Sequence, residues 1–314
     1  MTSDKRLGGG GTPIFFGHLA ALIVVTCWGI SFLSTKVLME DGGFSPVEVF
    51  IYRVTLAWLV LMAFTFKKIF SDNLRDEIKF IICGICSGSI YFITENYALQ
   101  YTTAGNVSLL SAVSPIFTTI LMAIVFKQAI KPGVAIGSLV AFAGVICVVF
   151  QQSAAGFEIK PKGDLLALSS AMSWAVYSIV VKDLMPRYNT FFITRKMFFY
   201  GTLSAIPLLL LQHTPLHLNE LFDLSDPRFL MNLLFLALMC SLGAFLLWNI
   251  SMKILGPVTA NNYIYMQPLV TMIAAYFVFG ENIYVLGYVG CILIIGGLVL
   301  ADKWEPQRLT RKSH

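Results

Sequence analysis

The chain has 314 residues, of which 57% are hydrophobic and only 12% are charged, and its formal net charge is +5. Soluble domains carry about a quarter charged residues, so this composition, with a mean hydropathy of +0.77, excludes a soluble globular protein. The apolar residues form long unbroken runs instead of the short alternating segments of an outer-membrane β-barrel. Helices satisfy their own backbone hydrogen bonds in lipid, so an all-α integral membrane protein is predicted.

A bilayer core requires about 20 apolar residues per helix, and that length predicts ten transmembrane helices. We number these spans 1 to 10: Ile14–Leu38, Pro46–Phe66, Ile78–Leu99, Ala104–Phe126, Pro132–Phe150, Asp164–Val181, Thr190–Gln212, Phe229–Met252, Gly256–Phe279 and Ile283–Ala301. The apolar stretch of span 1 is too long for a cleaved signal peptide. The predicted division is a flexible N-terminal segment 1–13, a first five-helix repeat 14–150, a linker 151–163, a second repeat 164–301 and a basic tail 302–314.

The lysines and arginines predict the orientation of these spans. Ten spans place both termini on one side of the membrane, where 17 of the basic residues lie, against four on the other side. Because basic residues accumulate on the cytoplasmic side, both termini are predicted to be cytoplasmic in a plasma (inner) membrane. The same bias accounts for the net charge, so no nucleic-acid partner is expected.

The two halves of the chain repeat each other in sequence. Trp28, Lys36, Leu38 and Met39 match Trp174, Lys182, Leu184 and Met185 at an offset of 146, and Asn96, Pro115 and Thr118 match Asn249, Pro268 and Thr271 at an offset of 153. Since five spans per half is an odd number, the halves must have opposite orientations. Inverted repeats of this kind are typical of transporters, whose binding site lies between the repeats near the bilayer midplane.

Several short motifs support a family assignment. They are Trp28-Gly29, Ser45-Pro46 followed by Arg53, the stretch 95–105, Ser114-Pro115, Gln267-Pro268 and Phe279-Gly280-Glu281. With these motifs the sequence resembles the EamA branch of the drug/metabolite transporter superfamily, over nearly the whole chain. The first repeat has Phe126-Lys127-Gln128 at the place where the second repeat ends in Glu281. Because glutamine is not an acid, this departure argues against a functional acid at that place in the first repeat. The resemblance implies ten helices in two inverted repeats, cytoplasmic termini and export of a small metabolite or drug-like compound.

Four charged residues lie well inside the predicted spans, where an unpaired charge costs several kcal/mol. Arg53 in span 2 and Glu95 in span 3 both lie about 10 Å below the outer boundary at a rise of 1.5 Å per residue, so an ion pair is possible. Two interpretations stay open: a structural pair that connects the spans, or an acid that exchanges protons while Arg53 tunes it or contacts a substrate carboxylate. For Arg195 and Lys196 in span 7 we expect snorkelling to the cytoplasmic interface.

Polar and aromatic residues at helical spacing predict a substrate cavity along the midline. Its predicted lining consists of Trp28, Tyr91, Asn96, Ser111, Pro115, Trp174, Trp248, Asn249, Asn261, Asn262, Tyr265, Gln267 and Pro268. Proline removes a backbone hydrogen bond and permits a bend, which suits a rocking mechanism at Pro115 and Pro268. The alternatives are helix packing through small polar groups and aromatic side chains that only fill space.

Spans 5 and 10 are rich in glycine and poor in polar groups, so we expect a rigid scaffold there, and a homodimer contact is a further possibility. The cysteine pair Cys83 and Cys86 lies mid-membrane without companion ligands, and no metal or cofactor is expected. No clustered nucleophile and base points to an enzyme. The predicted function is a secondary active transporter, a proton-coupled exporter of a small metabolite such as an amino acid or a drug-like compound. The alternative is a passive facilitator or channel.

Overall fold

The computed structural model describes residues 11–66, 68–102, 104–127, 129–150, 160–211, 216–223, 226–279 and 282–303. The predicted N-terminal segment up to residue 10, most of the linker, the basic tail beyond residue 303 and the motif residues Gly280-Glu281 lie outside these ranges. Every regular element in the described ranges is helical.

The first half contains seven α-helices, interrupted by π-helical segments at Val37–Asp41 and Ile85–Ile90. The α-helices are α1 Gly11–Lys36, α2 Pro46–Thr65, α3 Leu74–Gly84, α4 Tyr91–Tyr101, α5 Ala104–Ser111, α6 Ser114–Phe126 and α7 Pro132–Phe150. The second half has a π-helical segment at Phe235–Gly243 and a 3₁₀ turn at Tyr263–Met266. Its α-helices are α8 Pro161–Leu184, α9 Thr190–Leu211, α10 Leu218–Leu221, α11 Arg228–Leu234, α12 Ala244–Leu255, α13 Pro257–Asn262, α14 Gln267–Phe279 and α15 Val285–Lys303.

Eight helical stretches in the described ranges are long and apolar enough to cross a membrane. The prediction of an all-α, multi-pass membrane protein is thereby confirmed. The two other predicted spans coincide with α9, which contains Arg195 and Lys196, and with α13 to α14, which the 3₁₀ turn divides. The second half begins at Pro161, three residues before the predicted start, because proline is favoured in the first turn of a helix.

The helix breaks of spans 4 and 9 occupy equivalent places in the two halves. Span 4 is interrupted between α5 and α6, directly before Ser114 and Pro115, and span 9 is interrupted by the 3₁₀ turn directly before Gln267 and Pro268. Proline lacks the N–H that would continue the preceding turn, so both breaks follow from the sequence. The α-helix is therefore interrupted at both of the prolines where the sequence predicts that a bend is permitted.

The fifth helices of the two halves, α7 and α15, pack against each other through glycines. A Cβ added to Gly137 would lie 2.5 Å from the Gly297 carbonyl oxygen, and one added to Gly144 would lie 2.7 Å from that of Gly290. Only glycine allows this backbone approach. These glycines are therefore used for packing within the chain, and the homodimer contact stays a prediction.

Arg195 and Lys196 direct their charged ends to the segment that joins spans 2 and 3 on the side of the chain termini, where they bind protein groups instead of water. Both side chains are buried. Arg195 donates to the carbonyl oxygen of Thr65, the last residue of α2, and to that of Lys68, which follows the helix. Lys196 forms an ion pair with Glu77 on α3. The last carbonyl groups of a helix lack partners within that helix, so Arg195 supplies donors that span 2 needs.

Candidate functional site

A cavity of about 640 Å³ lies between the two halves of the chain. Its wall is built by α1, α2, α4, α5 and α6 of the first half and by α8, α12 and α14 of the second. Its mouth lies at the ends of spans 1 and 3 that are opposite the chain termini, where Lys36, Glu40 and Gln100 are exposed. The cavity has the size of small-molecule sites, which range over about 300–1,000 Å³.

Glu95 is the buried acid of this cavity. Its side chain is on α4 and is only 5% exposed. Its Oε1 accepts hydrogen bonds from the Tyr91 hydroxyl, one turn earlier, at 2.9 Å and from the Ser111 hydroxyl at the end of α5 at 3.2 Å. These two donors fix the carboxyl group at the cavity wall.

Arg53 is the buried, positively charged residue of the same cavity, and its side chain is 4% exposed. Its Nε donates to the Ser241 hydroxyl at 2.9 Å, and its guanidinium carbon lies 4.8 Å from the centre of the Phe92 ring. Among the described residues no direct hydrogen bond or ion pair joins Arg53 to Glu95, so the pair that equal depth allowed is not formed. The two groups instead face the same space with different partners.

Aromatic rings form the inner end of the cavity. Trp28 and Trp174, which match in the sequence repeat, contact each other edge to face with ring centroids 5.3 Å apart. Tyr91 lies 5.1 Å from Trp174, and Phe245 lies 5.5 Å from Trp28. Edge-to-face packing of this kind is favourable and geometrically specific, so the rings form an ordered apolar wall.

Nine of the residues predicted from the sequence line this cavity. They are Trp28, Arg53, Tyr91, Glu95, Asn96, Ser111, Trp174, Gln267 and Pro268. Six others lie behind its wall: Pro115, Trp248, Asn249, Asn261, Asn262 and Tyr265. For these six, the expected direct exposure to the cavity is wrong.

The residues behind the wall have structural partners. Asn261 accepts from the Trp174 indole N–H at 2.9 Å and donates to the Ser178 hydroxyl at 3.1 Å. Asn249 accepts from the Tyr177 hydroxyl at 2.9 Å. Buried amides need such partners to offset the loss of water, so the polar stripe of span 9 stabilises helix contacts and orients Trp174.

Other lining residues were not predicted, among them Ser31, Lys36, Glu40, Phe92, Gln100, Phe245 and Thr271. Ser31 and Lys36 follow Trp28 at helical spacing, so extending the face of span 1 beyond Trp28 would have found them. Ser241, which holds Arg53, comes from span 8, and no pattern in the sequence predicts that contact.

The bundle and its central cavity define a transporter-like membrane protein, and comparison with known proteins gives the family. The chain matches the EamA-like transporter family over residues 15–150 and again over residues 161–301. It therefore belongs to that family, as the motifs predicted, and it is a transporter of two related halves.

Relatives align over almost their full length. An uncharacterized transporter of Archaeoglobus fulgidus is 26% identical, with 92% of this chain and 98% of the relative covered. A probable terminal-alkyne amino-acid exporter of Streptantibioticus cattleyicolor is 24% identical, with 90% and 92% covered. A crystal structure with a TM-score of 0.72 covers 91% of this chain and 96% of its own, at 19% sequence identity, and shows a shared fold.

Proposed function

We propose that the protein is a secondary active transporter of the plasma (inner) membrane, with cytoplasmic termini, that exports a small zwitterionic metabolite such as an amino acid in exchange for protons. The observation that carries the proposal is the cavity itself, in which a buried guanidinium and a buried carboxyl group face one space beside aromatic rings. An intramembrane charge is costly, so two such charges at a cavity wall favour a role in binding.

The chemistry of a zwitterion fits this arrangement. Arg53 presents a guanidinium, which pairs with a carboxylate, and Glu95 presents a carboxylate to an ammonium group. The rings of Trp28 and Trp174 offer contact to an apolar side chain of the substrate. The name of the Streptantibioticus relative, a probable amino-acid exporter, supports the same class of substrate.

Competition for Glu95 would couple the proton to the substrate. A protonated carboxyl group no longer attracts an ammonium group, so proton binding from the cavity mouth displaces the substrate. Loss of the proton on the other side restores the negative charge for the next substrate. With cytoplasmic termini the mouth faces the outside, and this exchange then exports the substrate while protons enter.

Counterflow in proteoliposomes tests the proposal against a channel, whereas a passive carrier is distinguished by uphill accumulation driven by a proton gradient. Liposomes are loaded with unlabelled amino acid, and a trace of labelled amino acid is added outside, using a panel of aromatic and aliphatic amino acids. An alternating carrier transiently accumulates the label, because its site returns loaded, whereas a channel only equilibrates it. Equilibration without overshoot for every amino acid that permeates would contradict the proposal.

A further inference from the structure

Each half of the chain places a charged residue just after the α-helix of its first span and another in the first turn of its third span. On the side of the chain termini, Arg187 follows α8 and forms an ion pair with Asp76 of α3. On the other side, Asp41 follows α1 and faces Arg228, the first residue of α11. The repeat offset of 146, which matches Met39 with Met185, also matches Asp41 with Arg187, so an acid and a base occupy equivalent places after the first span of each half. Their partners, Asp76 and Arg228, both lie in the first turn of the third span, where the offset of 153 matches Arg228 with Arg75.

The pair on the terminal side is closed. Asp76 is only 1% exposed, and besides Arg187 it accepts hydrogen bonds at 3.0 Å from Tyr188 and from Asn73. Asp183 on α8 pairs with Arg187 at 2.7 Å and also with Lys79 of α3. This network joins the start of α3 to the end of α8 and seals that side of the bundle.

The pair on the opposite side is loose. The Arg228 Nη1 lies 4.0 Å from the Asp41 Oδ2, and the two side chains are 63% and 53% exposed. Arg228 bonds mainly to its neighbour Asp226, at 2.7 Å. Glu40, adjacent to Asp41, lines the open mouth of the cavity, so the loose pair lies beside the open side.

The interior shows the same asymmetry at matched positions. Tyr177 donates to Asn249 at 2.9 Å on the closed side. Their repeat counterparts, Ser31 and Asn96, both line the open cavity, and Ser31 donates instead to the Trp28 carbonyl oxygen. Lys182, the counterpart of Lys36 at the open mouth, lines a smaller cavity of about 400 Å³ on the terminal side.

We propose that the two ion pairs are alternate gates. Arg187–Asp76 holds the terminal side closed while the cavity is open to the other side, and Asp41–Arg228 tightens when the bundle rocks and the cavity opens to the terminal side. Each gate therefore joins the end of the first span of one half to the start of the third span of the other half. This inference rests on the alternating-access function proposed above.

Cysteine reporters at Thr118 and Thr271 read out the two states. These threonines are repeat counterparts: Thr271 lines the open cavity, whereas Thr118 is fully buried, and its hydroxyl has no hydrogen-bond partner in the described part of the chain. Thr118→Cys and Thr271→Cys are labelled with a maleimide on purified protein in lipid nanodiscs, where both sides are accessible. The parent chain, with its native cysteines, supplies the background to subtract.

The gate variants should move the Thr118→Cys signal in opposite directions. Arg187→Gln removes the contact that stabilises the closed terminal side, so the labelling rate at Thr118→Cys should rise about fivefold, the upper effect of losing one partly exposed ion pair. Arg228→Gln removes the contact that stabilises the opposite state, so that rate should fall by a similar factor. Arg187→Lys and Arg228→Lys keep the positive charge, and a lysine at either position can still form an ion pair with the acid that faces it. The labelling rate at Thr118→Cys in these two variants should therefore stay within about twofold of the rate in the parent.

The outcomes separate the gates from the proposed transport function. The gates would be overturned if the labelling rate at Thr118→Cys were the same in Arg187→Gln and Arg228→Gln, or if neither differed from the parent, in samples that remain monodisperse. Counterflow by the unmodified protein is measured in parallel. Counterflow with unmoved labelling rejects only the gates, whereas opposite labelling shifts without any counterflow support the gates and reject amino acids as the substrate.

Discussion

Arg53 illustrates how a buried charge is prepared for a ligand. Its Nε is occupied by Ser241 at 2.9 Å and one face lies over Phe92, so the side chain is fixed by protein contacts. The planar guanidinium has five donors, and a single bond to Ser241 leaves others available at the cavity wall. A fixed donor set loses little entropy when a carboxylate binds.

Replacing Arg53 should therefore weaken binding of an amino acid much more than it changes the fold. We expect Arg53→Gln to raise the Kd by about tenfold to a hundredfold, the range for losing a hydrogen bond to a charged group. Lys36→Gln, at the exposed mouth of the same cavity, is the matched control and should change the Kd less than about threefold, because water screens it. Calorimetry on the detergent-solubilised protein measures both, and equal Kd values for Arg53→Gln and the unmodified chain would contradict the assignment.

Asn261 supports the site from behind. Replacing it by leucine leaves the Trp174 indole N–H and the Ser178 hydroxyl without their amide partner. Burial without a partner costs about 1–3 kcal/mol, so Asn261→Leu should lower the apparent Tm and alter the tryptophan fluorescence. The neighbouring Asn262 makes a longer bond, with Ser138 at 3.3 Å, so Asn262→Leu should have the smaller effect. A larger loss of Tm in Asn262→Leu would refute this ranking.

At the residue scale, the sequence predicted how deep a side chain lies in the membrane but not which way it points. A fixed rise per residue places Arg53 and Glu95 at one level, and both do line one cavity. Whether a side chain at that level points into the cavity depends on helix rotation and on partners from distant spans. Asn261 and Asn249 point away for this reason, and Arg195 and Lys196 bind protein groups near the ends of spans 2 and 3 instead of water.

At the scale of elements, prolines and glycines were the residues from which the sequence predicted most about the helices. The prolines after Ser114 and Gln267 coincide with real interruptions of the helices, because a proline removes a backbone hydrogen bond of the preceding turn. Pro207, in contrast, lies inside α9 without interrupting it. The π-helical segments at Ile85–Ile90 and Phe235–Gly243 were not predicted. Each contains a glycine, Gly88 or Gly243, but no proline, and glycines also occur inside the regular helices α7 and α15, so the sequence alone does not distinguish these segments.

The adjacent glycines of α15 give a matched test of the scaffold. A Cβ on Gly297 would lie 2.4 Å from the Ala141 backbone nitrogen, whereas a Cβ on Gly296 meets nothing within 4 Å. Gly297→Ala should therefore destabilise the fold by about 1–3 kcal/mol through overpacking. Gly296→Ala should be neutral or slightly stabilising, since alanine is the better helix former. Unfolding in detergent followed by tryptophan fluorescence measures both, and equal stability of the two variants would contradict the packing of α7 on α15.

The whole molecule is asymmetric although its sequence is repeated. One side of the bundle is sealed by Arg187 with Asp76, and the other exposes a cavity that ends at the Trp28–Trp174 contact. The repeat predicts two related halves, and the family match over 15–150 and 161–301 agrees with that. It cannot predict which side is open, because both arrangements satisfy the same sequence pattern.

The central claim, that Glu95 couples protons to the substrate, is tested most directly by accumulation against a gradient. Proteoliposomes acidic inside are given a labelled amino acid that the protein exchanges, and the unmodified chain, Glu95→Gln and Glu40→Gln are compared. Glu40 is exposed at the mouth of the same cavity and serves as the control. The account predicts uphill accumulation by the unmodified chain and by Glu40→Gln, and none by Glu95→Gln, whose amide cannot exchange a proton. Uphill accumulation by Glu95→Gln at the rate of the unmodified chain would contradict it.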